Sequence, residues 1–117
     1  TRGITEIRRL GVACGARAET FAGLSGLGDL MATCFSKLSR NRALGEKVGK
    51  GGDAAQILAA QTTVAEGYPT ARSALQLARK LGVEAPIISE THAILYENKA
   101  PADALRDLTS RDTTSED

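Results

Sequence analysis

A chain of 117 residues is the length of one domain. With 42% apolar but only 3% aromatic residues, its core must come from Leu, Ala, Ile and Val, the material of helix packing and not of a β-sandwich. A net charge of +1 offers no basic field for nucleic acid, and no apolar run nears the roughly 20 residues that span a bilayer.

The spacing of Ile4, Ile7, Leu10, Val12 and Cys14 predicts a first helix over about Thr5 to Cys14, stopped at Gly15. A short turn follows at Ala18 to Phe21. Gly23, Gly26 and Gly28 then make a poor helix interior, since each costs about 1 kcal/mol against Ala. They suit a turn or a close approach. Leu27, Leu30, Met31 and Cys34 share one helical face beyond them. A loop is read at Ser36 to Ser39, with Ser39 as N-cap of a helix from Arg40 to Val48 that ends at Gly49 or Gly51. Asp53 caps a short helix, Ala54 to Ala60, with Ile57 and Leu58 inward. Thr62 to Gly67 is irregular. The clearest helix runs from about Thr70 to Leu81, with Ala71, Ala74, Leu75, Ala78 and Leu81 as its buried stripe and Gly82 as its end. Pro86 opens the next, which carries Ile87, Ile88, Ala93, Ile94 and Leu95 and closes at Asn98. Pro101 opens the last, with Ala104, Leu105 and Leu108 inward. The expected fold is therefore all-α, about seven packed helices and no strand, with residues 1–110 as one domain and 111–117 as a polar, disordered tail.

Cys14 and Cys34 are too few for a disulfide framework and are not spaced as a metal pair. Their apolar neighbours make them expected buried hydrophobes in a reducing cytoplasm. No basic-then-apolar leader is read, and the start at Thr1 without an initiator Met suggests a fragment or processed product.

The residues from Gly23 to Asn41, with an echo at Val64 to Gly67, do more than pack. Ser39, Arg40, Asn41 and Arg42 stand at a predicted helix start, where unpaired N–H groups and a partial positive charge attract anions. A hydroxyl, a guanidinium and an amide there make a phosphate site; the alternative is a capped surface helix with two solvated arginines. Asp29 is either a carboxylate placed at a helix start by the helix dipole or a partner for a substrate hydroxyl. Thr33 lies one turn on, on the same face. Glu66 suits either a helix N-terminus or a ribose hydroxyl. His92 has no Asp or Cys partner at useful spacing and reads as structural or solvent-facing. The glycine spacing at Gly23, Gly26 and Gly28 does not match a dinucleotide fingerprint.

Taken together, Thr1 to Glu6, Glu19 to Leu30, Thr33-Cys34, Ser39 to Arg42 with Gly45, Val64 to Gly67, Leu81 to Ile87 and Leu95 to Glu97 resemble the bacterial NAD(P)-dependent glycerol-3-phosphate dehydrogenases. The pair Gly-Leu-Gly-Asp-Leu and Ser-Arg-Asn-Arg is the most specific part. The resemblance implies the helical, substrate-binding C-terminal domain of an enzyme that interconverts dihydroxyacetone phosphate and sn-glycerol 3-phosphate with NADH or NADPH, feeding glycerophospholipid synthesis. It implies a fold similar to the C-terminal domain of 6-phosphogluconate dehydrogenase-like enzymes. Substrate contacts are then expected at Asp29, Thr33, Ser39, Arg40 and Asn41, and NAD or NADP contacts at Arg40, Val64 and Glu66. The catalytic lysine and the Rossmann domain are expected before Thr1, so the chain alone is expected to be inactive. Its expected partners are a small phosphate substrate, its own Rossmann domain and a second copy in a homodimer. An apolar surface facing the Rossmann domain is expected near Val64, Ala65 and the loop from Gly23 to Leu27.

Overall fold

The computed structural model describes residues 1–111. The expected tail therefore lies, apart from Arg111, outside the described residues. Seven α-helices are present among the described residues, and no strand: α1 (Arg2–Ala13), α2 (Asp29–Phe35), α3 (Arg40–Gly49), α4 (Ala54–Ala60), α5 (Gly67–Leu81), α6 (Pro86–Tyr96) and α7 (Pro101–Thr109).

The boundaries follow local chemistry. Helix α1 ends ahead of Gly15, whose φ of +96° no other residue adopts cheaply. Gly82, at φ +66°, ends α5, and Asn98 takes φ +56° just after α6. Ser39 Oγ accepts from the Arg42 N–H and Asp53 Oδ1 from the Gln56 N–H, as N-caps do. Helix α5 begins at Gly67, three residues before the expected start. Pro69 sits in its first turn, where a missing N–H costs nothing. Between α1 and α2 the chain makes one 3₁₀ turn (Ala18–Ala22) and then a wide π-type turn (Leu24–Gly28), closed by the Gly28 N–H on the Gly23 carbonyl at 3.1 Å. A Cβ on Gly26 would lie 2.3 Å from the Phe21 carbonyl oxygen, so this turn lies backbone against backbone.

Helix α6 is the hub and packs against α1, α4, α5 and α7. It is apolar on most of its surface, as a helix with neighbours on several sides must be. The core gathers Leu44, Val48, Ala54 and Ala65, with Ile57, Leu58, Tyr68, Ile94 and Leu95 against them. Ala71, Ala78, Ala85 and Ala104 are also buried, and their small side chains let the helices approach closely.

Several burial expectations are corrected. Cys14 and Cys34 are both exposed. Cys14 lies where the chain leaves α1, and Cys34 lies on an α2 face that no other element covers. Leu81 and Leu105 are exposed, each on the open edge of its stripe. Ile7, Val12, Leu27 and Met31 are uncovered too, for want of a partner element and not for want of an apolar face.

Candidate functional site

Helices α2 and α3 are joined by a four-residue loop, and the start of α5 comes up beside the start of α3. Between them lies an open cleft of about 410 Å³, walled by Thr33, Ser36, Ser39, Arg40, Asn41 and Glu66 among others. Thr33 comes from α2, Ser39 to Asn41 from the N-terminus of α3, and Glu66 from the N-terminus of α5. Residues more than 20 positions apart thus share one wall.

Each polar group in the Ser-Arg-Asn-Arg segment has a different task. Ser39 Oγ accepts from the Arg42 N–H at 3.2 Å and keeps its own O–H for a second partner. Arg42 turns away from the cleft: Nη1 donates to the Phe35 carbonyl at 3.0 Å and Nε to Glu46 Oε1 at 3.2 Å. It ties the end of α2 to α3. Asn41 Oδ1 accepts from the Gly67 N–H at 2.8 Å, joining α3 to α5. Arg40 is exposed and has no hydrogen-bond or ion-pair partner among the described residues. A free guanidinium beside a helix N-terminus is a place for an anion.

The structure therefore brings Thr33, Ser39, Arg40, Asn41 and Glu66 onto one cleft. Asp29 and Val64 are not on its wall. Asp29 is exposed one turn before Thr33 on α2, and Val64 is exposed two residues before Glu66. Sequence reasoning did not single out Arg42 as a brace or Gly67 as a partner of Asn41. The Arg42–Glu46 spacing of four was a visible signal for the first. Nothing local signalled the second.

His92 is half-buried and stacks on Tyr96, with ring centroids 4.9 Å apart. Tyr96 in turn stacks on Tyr68 at 4.4 Å and donates its hydroxyl to the Tyr68 carbonyl at 2.6 Å. Burial, and then Tyr68 beside it, push the Tyr96 hydroxyl above its ordinary pKa against the opposing charge of Arg72. This stack fastens α6 to α5, a structural role for His92. No group of three or more His, Cys, Asp or Glu among the described residues could hold a metal ion. No described helix is long and apolar enough to cross a membrane.

Residues 1–106 match the family described as NAD-dependent glycerol-3-phosphate dehydrogenase C-terminus. The chain is 53% identical over 117 residues to a glycerol-3-phosphate dehydrogenase (NAD(P)+) of Koribacter versatilis, covering 99% of this chain and 35% of that protein. It is 52% identical over 116 residues to one of Syntrophotalea carbinolica, with the same shares covered. The crystal structure of glycerol-3-phosphate dehydrogenase from Coxiella burnetii is similar at a TM-score of 0.89 and 38% identity, over 94% of this chain and 34% of that one. The chain thus spans about a third of the length of the curated relatives it matches.

Proposed function

The chain belongs to the C-terminal family of the NAD-dependent glycerol-3-phosphate dehydrogenases, and from that premise we propose that it is the substrate-side domain of an enzyme that interconverts dihydroxyacetone phosphate and sn-glycerol 3-phosphate. The convergence of Ser39, Arg40 and Asn41 on one cleft, with the Arg40 guanidinium unpaired among the described residues, supports this reading best. A phosphate there would meet a guanidinium, a hydroxyl and an amide at the positive end of α3, which fixes its orientation as well as its charge. Holding the phosphate sets the distance of the reacting carbon from the rest of the site. Asp29, at the open side of α2, would position the reacting end of the substrate and the proton donor. That donor, by the family resemblance, is a lysine outside this segment, and it neutralises the charge that develops on the substrate carbonyl oxygen.

NAD or NADP, when bound, supplies or takes up the hydride. The donor set here fits one edge of such a cofactor. Glu66 can accept from a hydroxyl, Arg40 can pair with a phosphate, and Val64 offers an exposed apolar contact. No glycine-rich strand–loop–helix cradle exists among the described residues, so the main grip on the dinucleotide belongs to a separate nucleotide-binding domain. The whole protein would act in the cytoplasm as a homodimer, and this chain by itself would bind phosphate but not turn over.

The test follows NADH and NADPH oxidation driven by dihydroxyacetone phosphate, in the full-length protein and in its Arg40→Ala variant. Loss of one charge-assisted phosphate contact should lower kcat/KM by roughly 10- to 100-fold. An active wild type with an unaffected variant would move the phosphate off Arg40. A wild type inert toward this substrate would overturn the reading as a whole.

A further inference from the structure

We infer that Gly67 is a positioning residue for the substrate phosphate: its N–H and its lack of a side chain lock the Asn41 amide with Nδ2 left as the donor at the cleft. The inference rests on the reading of the cleft as a phosphate site.

An asparagine amide has an accepting end and a donating end, and in isolation either can face a ligand. Here the choice is forced. The Gly67 backbone N–H can only donate, so the amide atom 2.8 Å from it is Oδ1. The amide is planar, so fixing the oxygen fixes the NH2 group as well. Asn41 stands between the polar cleft and the apolar cavity that α3 shares with α6, and its remaining polar atom, Nδ2, carries two donors and no acceptor, which the polar cleft suits and the apolar cavity does not. An anion can use that end; with the amide reversed it would meet a lone pair.

The glycine at position 67 has no backbone explanation. The left-handed glycines are Gly15, Gly51 and Gly82, whereas Gly67 begins α5 in an ordinary helical conformation that any residue adopts. A side chain here would crowd the Asn41 amide and make it shift. A Cβ at position 67 would stand 2.9 Å from Asn41 Oδ1, 3.1 Å from Cγ and 3.4 Å from Nδ2. Without a side chain at 67 the amide keeps its close approach to the Gly67 N–H.

A second consequence concerns Glu66. It is the N-cap residue of α5, yet its side chain makes no capping bond. The Tyr68 N–H bonds to the Ala65 carbonyl and Pro69 has no N–H, so no second- or third-position donor is left for Glu66, while Asn41 takes the Gly67 N–H. The Glu66 carboxylate stands on the cleft wall without a partner among the described residues, open to a hydroxyl.

The experiment uses the full-length protein with two variants, Gly67→Ala and Asn41→Asp, and reads KM and kcat for dihydroxyacetone phosphate, the dissociation constant for inorganic phosphate, and the urea midpoint. Gly67→Ala should raise KM and the phosphate dissociation constant about tenfold while kcat changes less than twofold. Asn41→Asp keeps an oxygen for the Gly67 N–H and replaces the donor by a second oxygen. It should leave the urea midpoint within experimental error and weaken phosphate at least tenfold. Asp also brings a negative charge to the cleft, so weaker phosphate binding in this variant supports the donor role only together with Gly67→Ala, whereas unchanged phosphate affinity in Asn41→Asp overturns the inference. A Gly67→Ala protein that loses stability but binds phosphate like wild type overturns it too, as does a wild type that takes up no phosphate. A wild type that binds phosphate but ignores dihydroxyacetone phosphate defeats the proposed activity alone, and the phosphate constants of the two variants still decide this inference.

Discussion

Glu6 is the one buried charged residue among the described residues, at 3% exposure. Its two carboxylate oxygens accept from the backbone N–H groups of Ile87 and Ile88, at 2.8 and 2.7 Å. Those donors are the orphans at the start of α6, where Ala85 cannot cap and Pro86 has no N–H to offer. A buried carboxylate is tolerable when it is fully hydrogen-bonded and faces the positive end of a helix. Glu6→Ala should therefore destabilise the fold by about 2–4 kcal/mol, because two buried donors lose their acceptor. Glu6→Gln, which keeps one accepting oxygen, should cost clearly less. Urea titration of both variants measures the difference, and equal midpoints would show that the cap contributes little. The sequence exposed the local caps, Ser39 and Asp53, because their partners lie three residues on. Glu6 caps a helix 81 residues away, and no local pattern carries that distance. Arg40 and Asn41 were legible as candidates for an anion by type and by place at a helix start. The division of work between them was not, since it depends on Gly67.

At the scale of elements, glycine separates two situations. Gly26 supports the π-type turn that leads into α2, with the Phe21 backbone in the space a Cβ would fill. Gly45 lies inside α3 with nothing within 4 Å of its would-be Cβ; it borders an apolar cavity of about 240 Å³ between α3 and α6. Gly26→Ala should destabilise by about 1–3 kcal/mol, whereas Gly45→Ala should stabilise by up to about 1 kcal/mol through helix propensity. Thermal unfolding of the pair checks the opposite signs. Helices α6 and α7 are joined by a charge cluster in which Lys99 Nζ is 2.6 Å from Glu90 Oε2 and 2.6 Å from Asp107 Oδ2. The hydrogen bond from Lys99 holds the Asp107 carboxyl below its ordinary pKa. Its contribution is present above the usual value of about 3.9 and is lost as pH falls through the lower folded value. Hydrogen bonds to Asp107 and then to Glu90 raise the Lys99 pKa. That contribution is present below about 10.4 and is lost as pH rises through the higher folded value. Lys99→Met should lower the urea midpoint at pH 7, and the gap to wild type should shrink as pH falls below the ordinary Asp value of about 3.9 and as pH rises above the ordinary Lys value of about 10.4. A gap that stays constant through both limbs would exclude the cluster as its source.

The whole molecule leaves one side of α2 bare. Leu24, Phe35 and Leu38 are 91%, 76% and 91% exposed, and Leu27 and Met31 lie between them at helical spacing. Val64 is exposed nearby in sequence to the cleft residue Glu66, while Ala65, expected on the same surface, is buried in the core. A continuous apolar stripe of this kind drives association in water. The isolated chain should therefore self-associate with rising concentration in sedimentation, and Phe35→Ser with Leu38→Ser should shift it toward monomer. A strictly monomeric wild type would show that the stripe is too small to hold a partner.

The all-helical class, the order of the helices and most of their ends were determined by the sequence alone. Proline, glycine and capping residues act within a few positions, and helical periodicity is a local property. The motifs around Asp29 and Arg40 also pointed to the family, because that match is made along the chain and needs no geometry. Which apolar faces are covered was decided only by the tertiary structure. Periodicity marks a face as apolar but cannot say whether another element packs on it, and so Cys34 and Leu105 were expected inside and are not. The assembly of the cleft was likewise a tertiary matter. Asn41 and Gly67 are 26 residues apart, and only folding α3 against α5 makes one the partner of the other.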